Sequence, residues 1–159
     1  MDRRTFLLQA VTASFVTGVA SQVSATSYFF QPAVDQLLFD GINRVKDHAK
    51  KTGLEKSHSP AILAPISAKS GEPFTVEIMV GENLHPMGPS HWIEYIELSI
   101  GNEPAGRLEF QSRGFMKPKA VFTIAIPKDA APSGKITLVA RQRCNLHGLW
   151  ESSADISIT

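Results

Sequence analysis

Apolar residues fall on alternate positions along most of the chain from about Ile62 onward. Phe74, Val76, Ile78 and Val80 alternate with Thr75, Glu77 and Met79. A second run sets Trp92, Glu94, Ile96, Leu98 and Ile100 against Ile93, Tyr95, Glu97 and Ser99. Phe122, Ile124 and Ile126 form a third apolar series, Ile136, Leu138 and Ala140 a fourth, and Trp150, Ala154, Ile156 and Ile158 close the chain. A period of two puts one face of an extended segment inside and the other in water, so each run predicts a half-buried strand. Turn formers separate the runs: Ser70-Gly71, Gly101-Asn102, Pro104-Ala105-Gly106, Pro127-Lys128-Asp129 and Pro132-Ser133-Gly134.

The period is different before that point. Val34, Leu37, Leu38, Ile42 and Val45 recur at helical spacing, with Asp35, Arg44, Lys46 and Asp47 opposite them. Pro32 suits a first turn, and Gly53 follows the last periodic residue. This predicts one amphipathic helix over about 32–50, weakened at Gly41 and packed on the domain or on a second subunit. His48 lies on its polar side. Residues 1–25 read as an export segment: Arg3-Arg4, then an apolar stretch broken by Gln9, Thr12 and Ser14, then Val23-Ser24-Ala25 as small residues for cleavage. That stretch is too short and too polar for stable membrane insertion. A twin-arginine start implies passage in the folded state and a periplasmic destination. The expected organisation is a twin-arginine signal peptide at 1–25, an N-terminal segment with the amphipathic helix at 26–53, and a β-domain at 54–159. The fold class expected is all-β, an immunoglobulin-like antiparallel β-sandwich.

Charge and cysteine count narrow the chemistry. The net charge is +1, and removing Asp2, Arg3 and Arg4 with the export segment leaves acidic and basic residues equal in number. Such a chain has no basic field for nucleic acid. A single cysteine excludes an internal disulfide framework and any four-cysteine metal centre.

That cysteine sits in Cys144-Asn145-Leu146-His147-Gly148-Leu149-Trp150. A tight turn can bring a thiolate and an imidazole three residues apart to one metal. Three further histidines lie at strand ends or connections. His58 is in a polar loop, Glu55-Lys56-Ser57-His58-Ser59-Pro60, and His85 and His91 bracket a loop stiffened by Pro86 and Pro89. Binding residues on a sandwich gather in such loops. Four imidazoles and one thiolate exceed the four ligands of a structural zinc site. A blue-copper site uses two His, one Cys and a weak axial Met, and no Met follows His147. Four nitrogens with one sulfur suit iron and leave one coordination position open.

These segments resemble the superoxide reductases of the one-iron, neelaredoxin-like type, which include the iron-binding domain of desulfoferrodoxin. The resemblance is carried by Ser57-His58-Ser59-Pro60-Ala61-Ile62, Gly71-Glu72-Pro73-Phe74-Thr75-Val76, His85-Pro86-Met87 through His91-Trp92-Ile93, and the Cys144–Trp150 run, over residues 54–159. It implies a mononuclear non-haem iron, cycling between Fe(II) and Fe(III), held by His58, His85, His91 and His147 in a plane with Cys144 axial. It implies one-electron reduction of superoxide to hydrogen peroxide, an external electron donor and a homo-oligomer. It also implies a Glu-Lys pair directly before the first histidine, in catalytic roles. Here Glu55-Lys56 is followed by Ser57, one residue out of step. That offset favours an alternative, an exported iron-binding or electron-transfer module of the same fold without turnover.

Overall fold

The computed structural model of the protein describes residues 33–83 and 85–159. In chain order the elements are α1 (Gln36–Phe39), β1 (Ile42–Asn43), α2 (Gly53–His58), β2 (Pro60–Leu63), β3 (Ser67–Ala68), β4 (Phe74–Val80), β5 (Ile93–Ile100), β6 (Glu103–Glu109), β7 (Lys119–Ile124), β8 (Lys135–Cys144) and β9 (Gly148–Ile158). One sheet has the order β2-β4-β7, antiparallel throughout. The other runs β1-β9-β8-β5-β6, with β3 also on β9. Its long pairs are antiparallel, and the two-residue strands β1 and β3 run parallel to β9. Among the described residues no helix is long and apolar enough to cross a membrane.

Alternation becomes burial as the pattern requires. Val76, Ile78 and Val80 of β4 are fully buried, and they share one core with Ile96 and Leu98 of β5 and Leu138 and Ala140 of β8. Each such Val, Ile or Leu side chain contributes about 1.5–3 kcal/mol by leaving water. The inner face of β8 continues past Ala140 to Gln142 and Cys144, both fully buried. The period that builds the core therefore delivers the cysteine to its end.

β5 departs from simple alternation. Ile93 and Ile96 lie on opposite faces in a period of two, yet both are fully buried. The register against β8 shifts between Ile93 and Tyr95, where β5 carries one extra residue; a second shift, against β6 at Leu98/Ser99, places the extra residue in β6. A bulge inserts a residue and turns the following side chains to the other face.

The helix expected over 32–50 is not formed over that range. It is a single turn, α1, capped by the Asp35 side chain and ended at Asp40. The chain then enters β1, where Asn43 donates from Nδ2 to the carbonyls of Leu38 (2.7 Å) and Leu149 (3.0 Å). Leu37 is 94% exposed and Val34 and Ile42 are 44% exposed, so the apolar spacing does not produce a buried helical face. Tertiary pairing with β9 outweighs local spacing here. The export segment, 1–25, lies outside the described residues.

Candidate metal centre

The stretch expected to be a polar loop before the first strand is a helix. Thr52 caps α2: its side chain accepts from the Glu55 N–H, and Glu55 accepts from the Thr52 N–H in return, a reciprocal capping box. Thr-x-x-Glu was the sequence feature that could have revealed it. His58 is the last residue of α2 and is only 2% exposed. Its Nδ1–H donates to the Leu54 carbonyl one turn back (2.9 Å), which turns Nε2 outward as an acceptor.

His85 repeats this device on the other side. It is 1% exposed, and its Nδ1–H donates to the Pro86 carbonyl at 2.6 Å. Its Nε2 stands 3.1 Å from His58 Nε2. With both Nδ1 atoms carrying the protons, two lone pairs face one another in a buried place. That arrangement is repulsive unless a cation lies between them.

His91 and His147 arrive on separate loops. Cys144 ends β8, and residues 145–147 turn the chain into β9, with Gly148 at φ 70°. A three-residue hairpin loop closed by a left-handed residue favours glycine there. The turn points His147 Nδ1 at His58 Nε2 (3.0 Å) and at Cys144 Sγ (3.5 Å), while His91 Nε2 stands 3.1 Å from the same sulfur. Ligand atoms of His58, His91, Cys144 and His147 all lie within 4.8 Å of one another, and His85 adjoins them through His58. Trp150 stacks on the His58 ring (5.2 Å, 26°), and its Nε1–H donates to the His147 carbonyl at 2.9 Å. It thereby braces two of the donors.

Burial sets the protonation of the group. Loss of water pushes His58 down to about 4 and His85 to about 3, and it lowers His91 and His147 as well. All four imidazoles are therefore neutral donors at neutral pH. Burial raises the Cys144 thiol, opposed by backbone N–H bonds from Leu146 and His147 to the sulfur. Only a bound cation makes that sulfur a thiolate near neutrality.

The donor spacing favours some geometries over others. With metal–imidazole bonds of about 2.1 Å, two nitrogens at right angles sit about 3.0 Å apart and tetrahedral ones about 3.4 Å. The His58–His147 and His58–His85 separations, 3.0 and 3.1 Å, match the right angle. Four donors lie within mutual reach and His85 adjoins them through His58, so the group offers an ion more than four ligands if His85 joins. Iron suits the four-nitrogen, one-sulfur set.

Glu55 and Lys56 stand apart from these contacts. One Glu55 oxygen accepts from Thr52 N–H (2.7 Å) and the other from Lys46 N–H (3.0 Å). Those two bonds hold its carboxyl below the usual carboxylate range. Lys56 is exposed; the carboxyl of Glu82 is lowered chiefly by its hydrogen bond from Lys51, with a smaller contribution from the charge of Lys56.

The family model for desulfoferrodoxin matches residues 50–153. The chain belongs to the desulfoferrodoxin family. It is 38% identical over 116 residues to a Methanocaldococcus jannaschii protein provisionally named a superoxide reductase, covering 73% of this chain and 93% of that one. It is 35% identical over 97 residues to a superoxide reductase of Pyrococcus horikoshii, covering 55% and 79%. Its fold is similar to that of a superoxide reductase (neelaredoxin) from Ignicoccus hospitalis, with a TM-score of 0.61, 33% identity, and coverage of 74% and 95%. The all-β sandwich expected from the alternation is thus shared with that neelaredoxin, and β1 at Ile42–Asn43 joins its larger sheet.

Proposed function

We propose that this protein is a superoxide reductase. Superoxide, one electron and two protons become hydrogen peroxide, and no dioxygen is released. The observation that carries the reading is the gathering of the His58, His91, Cys144 and His147 ligand atoms within 4.8 Å of one another, with His85 Nε2 3.1 Å from His58 Nε2 and the lone pairs of those two facing each other. Iron held by His58, His91, His147 and Cys144, with His85 adjoining, would supply the one electron.

The chain's own residues do the rest. The carbonyls of Leu54 and Pro86 hold the His58 and His85 protons away from the centre. The N–H groups of Leu146 and His147 lean on the sulfur and moderate its donation. Exposed Lys56, with Lys46 and Lys50 nearby in the chain, raises the local concentration of a small anion although the domain carries little net charge. Cys144 is the chain's single cysteine, so no second thiolate-bound centre stores an electron and a separate donor must restore the ferrous state. We propose export as well, supported by Arg3-Arg4 and the small residues at 23–25, which would place the protein in the periplasm.

The test uses purified protein loaded with ferrous ion. Oxidation should produce a visible thiolate-to-iron band, and Cys144→Ser should abolish it. Stopped-flow mixing of the reduced protein with superoxide should then give a fast bimolecular reaction that yields peroxide. A colourless wild-type protein without bound iron would end the reading. Bound iron with no reaction would establish the passive module instead, the reading favoured by Glu55 being committed to its helix cap.

A further inference from the structure

The inner face of β8 presents Leu138, Ala140, Gln142 and Cys144 to the core. Gln142 is the anomaly. It is fully buried, and its Oε1 has no hydrogen-bond partner among the described residues. A leucine or methionine would fill the same volume without an orphaned oxygen, and buried polar atoms are normally paired.

The other half of the amide has a partner. Gln142 Nε2–H donates to the His58 carbonyl at 2.9 Å. That carbonyl lies at the C-terminal end of α2, where carbonyls lack partners within the helix. His58 is also the hub of the cluster: its Nε2 touches both His85 and His147, and its ring stacks on Trp150. Cys144 lies two residues along β8 from Gln142. The bond therefore ties the backbone of the central imidazole to the strand that carries the sulfur.

We propose that Gln142 is a positioning residue for the metal centre: it sets the His58 backbone against the Cys144 strand, at the expense of fold stability. The inference rests on the iron reading above and adds to it. Leu54 fixes how the His58 ring is turned, and Gln142 fixes where the residue stands.

The experiment replaces Gln142 by Met, which keeps the volume and removes both the bond and the orphaned oxygen. The metal-free variant should melt at or above the wild-type temperature. Its affinity for ferrous ion, measured against a competing chelator, should fall about tenfold, the lower end of the range for outer partners of metal ligands. The thiolate-to-iron band of the oxidised form should shift in energy. Leu138→Ala on the same face is the control: it should lower the melting temperature and leave affinity and band at wild-type values. Gln142→Asn, which draws the amide back by one methylene, should also lose affinity and serves if the Met variant does not fold. Gln142→Met with wild-type affinity and band overturns the positioning role and leaves the superoxide reductase reading intact. So does a variant that loses stability while keeping its affinity. Wild-type protein that takes up no ferrous ion overturns both.

Discussion

Asn145 and Trp92 hold each other from two directions: the Trp92 N–H donates to Asn145 Oδ1 (2.9 Å), and the Asn145 N–H donates to the Trp92 carbonyl (3.2 Å). Asn145 Nδ2 also donates to the Ser90 carbonyl at 3.0 Å. The residues on both sides of His91 are thereby fastened to the turn that carries Cys144 and His147. The loop 85–91 and the β8–β9 hairpin are far apart in sequence, and this one side chain joins them beside the donors. Asn145→Ala should remove two side-chain hydrogen bonds at about 1 kcal/mol each. Urea denaturation should show a loss of roughly 2 kcal/mol, and bound iron should exchange faster to a chelator. Asn145→Asp keeps the acceptor for Trp92 and should lose about half as much.

Gly148 is required twice over. Its φ is 70°, and a Cβ there would stand 2.4 Å from the Leu38 carbonyl oxygen and 2.6 Å from the Phe39 Cα. Backbone atoms of α1 cannot move aside as a flexible side chain would, and Leu38 O is already bound by Asn43. Gly148→Ala should destabilise the protein by at least about 1–3 kcal/mol from the left-handed conformation alone. Displacing α1 adds to that. Gly41, with no heavy atom of the described residues within 4 Å of its Cβ position and no positive φ, is the control: Gly41→Ala should be neutral or slightly stabilising in thermal melts.

What the sequence made legible follows from where a single period governs burial. β4 and β8 each bury one face, so alternation located them, and the same alternation ran through Gln142 to Cys144. His91 and His147 were read at strand ends or connections and stand there beside Cys144, whereas His58 was read in a loop and instead ends α2. β5 was misread at its start because the bulge between Ile93 and Tyr95 changes the face without leaving a local mark. The segment 32–50 had helical spacing without a surface to bury it on, and Leu37 remains 94% exposed. α2 was missed for the opposite reason: it is six residues long, too short to show a period, and only the Thr52–Glu55 cap betrays it.

Glu55 and Lys56 should separate cleanly in mutants. Glu55 ties Thr52 and Lys46 to the helix that ends at His58. Glu55→Ala should lower the melting temperature and leave the visible spectrum of the oxidised protein unchanged at neutral pH. A spectral shift with stability retained would instead place the carboxylate at the iron. Lys56→Ala, at an exposed site, should leave the melting temperature unchanged and slow the reaction with superoxide severalfold at low ionic strength. That difference should vanish as salt screens the charge.

Acid should weaken the metal-free protein through its buried imidazoles. Burial holds His58 at about 4 and His85 at about 3, against an ordinary value of 6.5. Below pH 6.5 the unfolded chain takes up protons that the folded chain refuses, so stability falls with pH. Above 6.5 both states are neutral at these residues and the contribution is flat. The decline from His58 runs from 6.5 to about 4, and that from His85 continues to about 3. At pH 5, His58 alone amounts to about 2 kcal/mol. Urea midpoints of the metal-free protein should therefore drop between pH 7 and 5. The iron-loaded protein should hold its midpoint further into the acid range, because the ion occupies the lone pairs that protons would take, and should then lose both ion and fold together. Loading near pH 7 should also acidify a weakly buffered solution by about one proton per iron, since the raised Cys144 thiol gives up its proton only to the metal. Equal midpoints at pH 7 and 5 in the metal-free protein would mean that the imidazoles are already charged or solvated, contrary to the inward-facing lone pairs of His58 and His85.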